Sequence, residues 1–181
     1  RNTTEPRISF AHSKKSMMLP SPKDAMHKGW LYRILIAVCD DDMLPRVLHF
    51  KGGTCAAMLG WLDRFSIDLD FDYKGESDEA TRYRNRLQDV LLSLGLIIDD
   101  QSSRGLQFFL KYPNAPGERN TLKIDTGFPV PAANIYEAVR LPDIDRIMMC
   151  QTKGTAFANK LVACMERYKK RESIAGRDIY D

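Results

Sequence analysis

The chain has 181 residues, of which 44% are hydrophobic and 28% charged, and its formal net charge is +3. This length and composition are sufficient for one hydrophobic core, and the mild positive charge lacks the concentrated basic blocks that mark a dedicated nucleic-acid binder. The four cysteines are widely spaced and there are only three histidines, which argues against a zinc site or a disulfide framework and favours a reducing, cytoplasmic setting. The apolar runs are far shorter than the ~20 residues of a membrane span, so we expect no membrane partner.

The first 20 residues are polar and show no periodicity, and we expect a flexible tail at 1–20 followed by a single domain over 21–181. Ser21 and Pro22 predict a helix start. Apolar residues then recur at helical spacing up to an acidic run that begins at Asp40: Trp30, Leu31, Ile34, Leu35 and Val38. A short strand, "VLHF", follows. It ends at a Gly-Gly pair, after which Thr54 is expected to cap a short helix.

The segment "SIDLDFDY" predicts a second strand, and Ser77 opens an amphipathic helix that should stop at Gly95. "LIIDD", "LQFFLKY" and "TLKIDTGF" predict further strands, and a last helix is expected from Thr152 to about Lys170. The stretch before that helix has no clear pattern. This order of elements predicts an α/β (α+β) fold, a mixed sheet flanked by helices.

The "SIDLDFDY" strand has an unusual distribution of acids, because side chains alternate between the two faces of a strand. Apolar residues point to one face: Ile67, Leu69 and Phe71. The other face carries Ser66, Asp68, Asp70 and Asp72. Neighbouring carboxylates on one face can converge on a divalent cation. The alternative is a solvated edge strand with scattered acids, which is the commoner origin of an isolated D-x-D pattern.

Two further features favour a phosphate and metal site. Gly52, Gly53 and Thr54 place backbone amides and a helix start just upstream, an arrangement that commonly holds phosphate oxygens, although an ordinary tight turn has the same sequence. Asp125 in "TLKIDTGF" would add a third acid if its strand lies beside the D-x-D strand. A surface residue at a strand end is the alternative for Asp125.

The last helix has an apolar stripe and a neighbouring basic face. Lys160 and Arg167 share that face with Ala156 and Ala163, and the small residues leave room for a ligand beside the lysine. A solvated basic face is the more common meaning of this spacing. The stripe itself consists of Phe157, Leu161, Cys164 and Tyr168.

In chain order, "KGGT", "RFSIDLDF", "LKID", "ANKLVACMER" and "RDIYD" resemble the nucleotidyltransferase AbiEii/AbiGii toxin family, which includes the MenT toxins. The resemblance covers about Phe50 to Asp181. It implies a DNA polymerase β-like nucleotidyltransferase fold that moves a nucleoside monophosphate from an NTP to an acceptor. It further implies that the acceptor is the 3′ end of a tRNA and that the chain is the toxin of a toxin–antitoxin pair with a cognate antitoxin.

The resemblance also assigns roles to residues. The nucleotide-binding set is Gly52, Gly53, Thr54 and Lys160, the magnesium (or manganese) ligands are Asp68, Asp70 and Asp125, and the catalytic set is Ser66, Asp68, Asp70, Lys160 and Asp178. Such proteins usually continue as helices beyond the R-D-x-Y-D segment, so we expect the C-terminal helical part to be truncated at Asp181. Two alternatives remain: a metal-dependent nuclease, and a non-catalytic module that binds a nucleotide or an antitoxin.

Overall fold

The computed structural model describes residues 22–63, 66–102 and 105–171. Four α-helices and seven strands make up this part of the chain, with a 3-10 turn at Leu44–Arg46. The helices are α1 (Pro22–Cys39), α2 (Gly52–Met58), α3 (Ala80–Ser93) and α4 (Lys153–Arg171). The strands are β1 (Leu48–Lys51), β2 (Asp68–Tyr73), β3 (Ile97–Gln101), β4 (Phe108–Lys111), β5 (Thr121–Gly127), β6 (Tyr136–Leu141) and β7 (Arg146–Gln151).

All seven strands form one mixed sheet in the order β3-β4-β5-β2-β1-β7-β6. The central strand β2 pairs antiparallel with β1 and parallel with β5, and β1 pairs parallel with β7. The predicted α/β class with a mixed sheet and flanking helices is therefore confirmed. Because β2 lies in the middle of the sheet, its acids do not belong to a solvated edge strand, and that alternative is wrong.

The hydrophobic core lies on one face of the sheet, where α1 packs against α3 and β7. Apolar residues of α1 at helical spacing are buried together with the apolar side of β1 and β2. Each such side chain contributes about 1.5–3 kcal/mol on burial. The fully buried members include Leu31, Ile34, Leu35, Val38, Leu48, Phe50, Leu69 and Phe71. This packing leaves the opposite, polar face of β1 and β2 available for a site.

The structure corrects several boundaries. Helix α2 begins at Gly52 directly after its N-cap Lys51, so Thr54 does not cap it. Helix α3 begins at Ala80, after a turn that contains Ser77. Ile67 precedes β2 and is 37% exposed, so the buried side of the strand starts at Leu69.

The stretch without a clear pattern forms the antiparallel hairpin β6–β7, which the sequence did not predict. The tail expected at 1–20 lies outside the described residues, as do Arg177 and Asp178. None of the helices in the described ranges is long and apolar enough to cross a membrane.

Candidate active site

A cleft of about 750 Å³ opens on the polar face of the sheet. Its walls come from the junction of β1 with α2, the start of β2, the segment after β5, and one side of α4. Six of the predicted site residues line it: Gly52, Gly53, Ser66, Asp68, Asp70 and Lys160. Segments that are distant in sequence therefore meet in one cleft.

Gly52 follows β1 directly and is the first residue of α2. Its φ is +76°, a left-handed conformation that favours glycine. A Cβ at this position would lie 2.2 Å from Oδ2 of Asp70, so the absence of a side chain lets the Asp70 carboxyl pack on the Gly52 backbone. The first amides of α2 have no partner within their helix. The Gly52 backbone, at the start of this helix, lies beside the Asp70 carboxylate.

Asp70 lies among several charges. In the sheet it is in register with Lys51 on one side and Asp125 on the other. Burial first, and then repulsion by Asp68 and Asp125, raise the pKa of Asp70 to about 6, although Lys51 and Lys123 act in the opposite direction. A carboxylate that is buried beside other carboxylates is stabilised as an anion by a bound cation. The oxygen donors of Asp68 and Asp70 are of the type that a hard divalent ion takes.

Asp125 was predicted as a metal ligand, but its carboxylate is hydrogen-bonded to neighbouring side chains and does not line the cleft. Its strand does lie beside β2, but its carboxylate accepts hydrogen bonds from Lys123 Nζ at 2.5 Å and from Gln107 Nε2 at 3.1 Å. It is not among the residues that line the cleft. Among the residues that the structure describes, no three His, Cys, Asp or Glu side chains are grouped closely enough to hold a metal ion. Of the predicted metal ligands, Asp68 and Asp70 are thus the two brought together in the cleft.

Thr54 and Ser66 occupy different environments. The Thr54 hydroxyl is buried and donates a hydrogen bond to the carbonyl oxygen of Asp68 at 2.5 Å, so it fixes the beginning of β2 rather than lining the cleft. Ser66 lies two residues before β2, is half-buried and lines the cleft. The structure therefore gives Thr54 a structural contact and leaves Ser66 accessible to a ligand.

Helix α4 presents its small and basic side to the cleft. Ala156, Lys160, Ala163 and Arg167 line the cavity, which is the face that the helical spacing predicted. The apolar stripe of the same helix points elsewhere: Phe157, Leu161 and Tyr168 are about half exposed or more, and only Phe157 also touches the cavity. The lysine is therefore placed opposite the carboxylates of β2.

A buried polar cluster in the wall of the cleft was missed by the sequence reasoning. Asp72, 1% exposed, receives four side-chain donors from Lys51, Asn134, Tyr136 and Gln151. The strand alternation placed Asp72 on the correct face but gave it no role. Lys51 could have been noticed because it directly precedes the glycine pair. The donors from the β6–β7 region had no sequence signal, because that hairpin was not predicted.

Comparison with known families gives the class of protein to which this fold and cleft belong, a nucleotidyltransferase. The chain belongs to the nucleotidyl transferase AbiEii toxin family of type IV toxin–antitoxin systems, whose model matches residues 33–181. The predicted family membership is therefore confirmed. None of the curated proteins compared with the chain matches it.

Two solved structures share the fold. One is a candidate nucleotidyltransferase from H. pylori, with a TM-score of 0.59 and 21% identity, matched over 90% of this chain and 67% of that one. The other is JHP933 from Helicobacter pylori, with a TM-score of 0.58 and 19% identity, matched over 90% of this chain and 66% of that one. The chain thus spans about two thirds of the length of each neighbour.

Proposed function

We propose that this chain transfers a nucleoside monophosphate from an NTP to the 3′ end of a tRNA, with magnesium or manganese held by Asp68 and Asp70. The observation that carries the proposal is the meeting of these carboxylates with the Gly52–Gly53 turn and Lys160 in one cleft. A bare phosphodiester substrate would not need the glycine turn. The membership in a nucleotidyltransferase toxin family supports the same assignment.

In the proposed reaction, the acceptor hydroxyl gives its proton to solvent and its oxygen forms a bond to the α-phosphorus of the NTP. The bond from the α-phosphorus to the oxygen that bridges to the β-phosphate breaks, and pyrophosphate leaves with that oxygen. The amides of Gly52 and Gly53 and the ammonium of Lys160 hold the phosphate oxygens and offset their charge. Asp68 and Asp70 supply oxygen ligands, and Ser66 lies at the edge of the same space. A divalent ion bound there would supply Lewis-acid activation and charge stabilisation.

The α4 wall of the cleft is suited to an anionic acceptor. Lys153, Lys160 and Arg167 line the cleft from α4. Basic side chains along a groove attract a nucleic-acid backbone without reading its sequence. This charge supports an RNA acceptor over a protein hydroxyl, and the toxin family supports a cognate antitoxin as a second partner.

The proposal is tested by incubating the protein with each α-labelled NTP and whole-cell extract, with and without magnesium, and treating the products with RNase or protease. Transfer of label that RNase removes, in the tRNA size range, is the expected result. Asp70→Asn should abolish transfer, whereas Asp99→Asn, which alters an exposed ion pair with Lys111, should not.

Three other outcomes of this experiment would each contradict a part of the proposal. Label removed only by protease would refute the tRNA acceptor and keep the transferase. Magnesium-dependent shortening of RNA without label transfer would favour the nuclease. Binding of an NTP without any product would favour the non-catalytic module.

A further inference from the structure

The buried cluster around Asp72 has one feature that a purely structural ion pair does not need: its cation reaches the cleft. Lys51 Nζ lies 2.6 Å from Oδ1 of Asp72, and the two side chains are 27% and 1% exposed. Lys51 also lines the cleft, directly before the Gly52–Gly53 turn. The ammonium is thus anchored on its buried side and accessible on the other.

The anchor is rigid, because Asp72 is held from several directions. Its Oδ2 accepts hydrogen bonds from Gln151 Nε2 at 2.8 Å, from the Tyr136 hydroxyl at 2.5 Å and from Asn134 Nδ2 at 3.2 Å. Oδ1 is left for Lys51. A buried carboxylate that accepts four side-chain hydrogen bonds keeps a fixed orientation. The β6–β7 region therefore determines where the Lys51 ammonium sits.

A glycine at position 127 leaves space for the Lys51–Asp72 ion pair. A Cβ on Gly127, at the end of β5, would lie 2.6 Å from Asp72 Oδ1 and 2.6 Å from Lys51 Nζ. An ammonium has three N–H donors. Within the described residues, Asp72 is the hydrogen-bond partner of Lys51, so the remaining donors are available to a ligand in the cleft.

We propose that Lys51 is a phosphate-binding residue of the cleft and that Asp72 is the residue that positions it. The inference rests on the proposed function, since it adds a second lysine to the phosphate-binding set of the same cleft. Lys51 and Lys160 approach from different elements, the sheet and α4, so they would hold the phosphate chain from two sides.

The test measures the affinity for inorganic tripolyphosphate with magnesium by calorimetry, which avoids any assumption about the base of the NTP. Lys51→Met should weaken binding by roughly tenfold or more, the loss typical of a charge-assisted contact. The matched control is Lys111→Met, which breaks an exposed lysine–aspartate pair between β4 and β3 and should leave the affinity unchanged. An unchanged affinity for Lys51→Met would overturn the proposal.

The positioning role of Asp72 is tested by a double-mutant cycle. Asp72→Asn should weaken tripolyphosphate binding, and the double variant Lys51→Met with Asp72→Asn should bind no more weakly than Lys51→Met alone. Additive losses would show that Asp72 does not act through Lys51. The double variant also removes both charges, so it provides the measurement if Lys51→Met leaves Asp72 unpaired and fails to fold.

Lys160→Ala separates the two proposals. If it loses affinity while Lys51→Met does not, the Lys51 inference is wrong and the proposed function stands. If the parent protein binds neither tripolyphosphate nor any NTP, both proposals are wrong.

Discussion

Replacing Gly52 by alanine tests the geometry of the site at the point where its backbone and side chains meet. Two independent penalties apply to the added Cβ. The backbone has a φ of +76°, and the new Cβ would lie 2.2 Å from Asp70 Oδ2 and 2.8 Å from both Cβ and Cγ of Asp70. The first penalty is conformational, and the second displaces a predicted metal ligand.

Gly60 separates the two penalties, because its φ is +72° and a Cβ there would meet nothing within 4 Å. Gly60→Ala should therefore cost only the left-handed conformation, roughly 1–2 kcal/mol of the free energy of unfolding. Gly52→Ala should cost about 1–3 kcal/mol more, the usual range for overpacking. Ordinary contact begins at 3.4 Å, so the Asp70 carboxyl must retreat by more than 1 Å.

The assays are urea unfolding for stability and calorimetry with manganese for the site. Gly52→Ala should weaken manganese binding strongly, whereas Gly60→Ala should not change it. In an Asp70→Gly background, which removes all three clashing atoms, Gly52→Ala should cost no more than Gly60→Ala. Equal costs of Gly52→Ala and Gly60→Ala in the parent protein would refute the close approach of Asp70 to Gly52.

Three further predictions concern charge. Asp68→Asn combined with Asp70→Asn should abolish manganese binding measured by calorimetry with a non-hydrolysable NTP, and binding equal to the parent would show that these are not the ligands. Lys160→Ala should lower the NTP affinity by about ten- to more than a hundredfold while leaving the fold intact, as expected for a charge-to-phosphate contact. An unchanged affinity would show that Lys160 belongs to a solvated face and does not bind phosphate. Burial would raise the pKa of Asp41, but hydrogen bonds from the amides of Leu44 and Met43 and from the Arg86 guanidinium outweigh it and lower the pKa. A lowered pKa in the folded state contributes stability above the ordinary Asp pKa and loses it as the pH falls through the folded value. The stability gap between the parent and Asp41→Asn, about 1–3 kcal/mol at neutral pH, should therefore shrink in acid, and a gap independent of pH in urea unfolding would contradict this.

Much of the architecture was predictable, because it depends on local patterns. The helical spacing of apolar residues located α1 and α3, and alternation located β2, β4 and β5. The positive φ of Gly95 after α3 follows from the preference of glycine for helix ends. The order of short motifs, which resembles one family, singled out Asp68, Asp70 and Lys160 as site residues, and the structure has all three lining one cleft.

Tertiary structure decided the features that depend on which strands become neighbours. Periodicity identifies the face of a strand but not its partner, so only the sheet could show that Asp70 lies between Lys51 and Asp125. The same is true of Asp72. Its place in the alternation is that of an exposed acid, yet the central position of β2 buries it. Three of its four donors come from the unpredicted hairpin β6–β7 and the segment just before it. A buried charge is stable only with such partners, and partners distant in sequence are brought together by the fold alone.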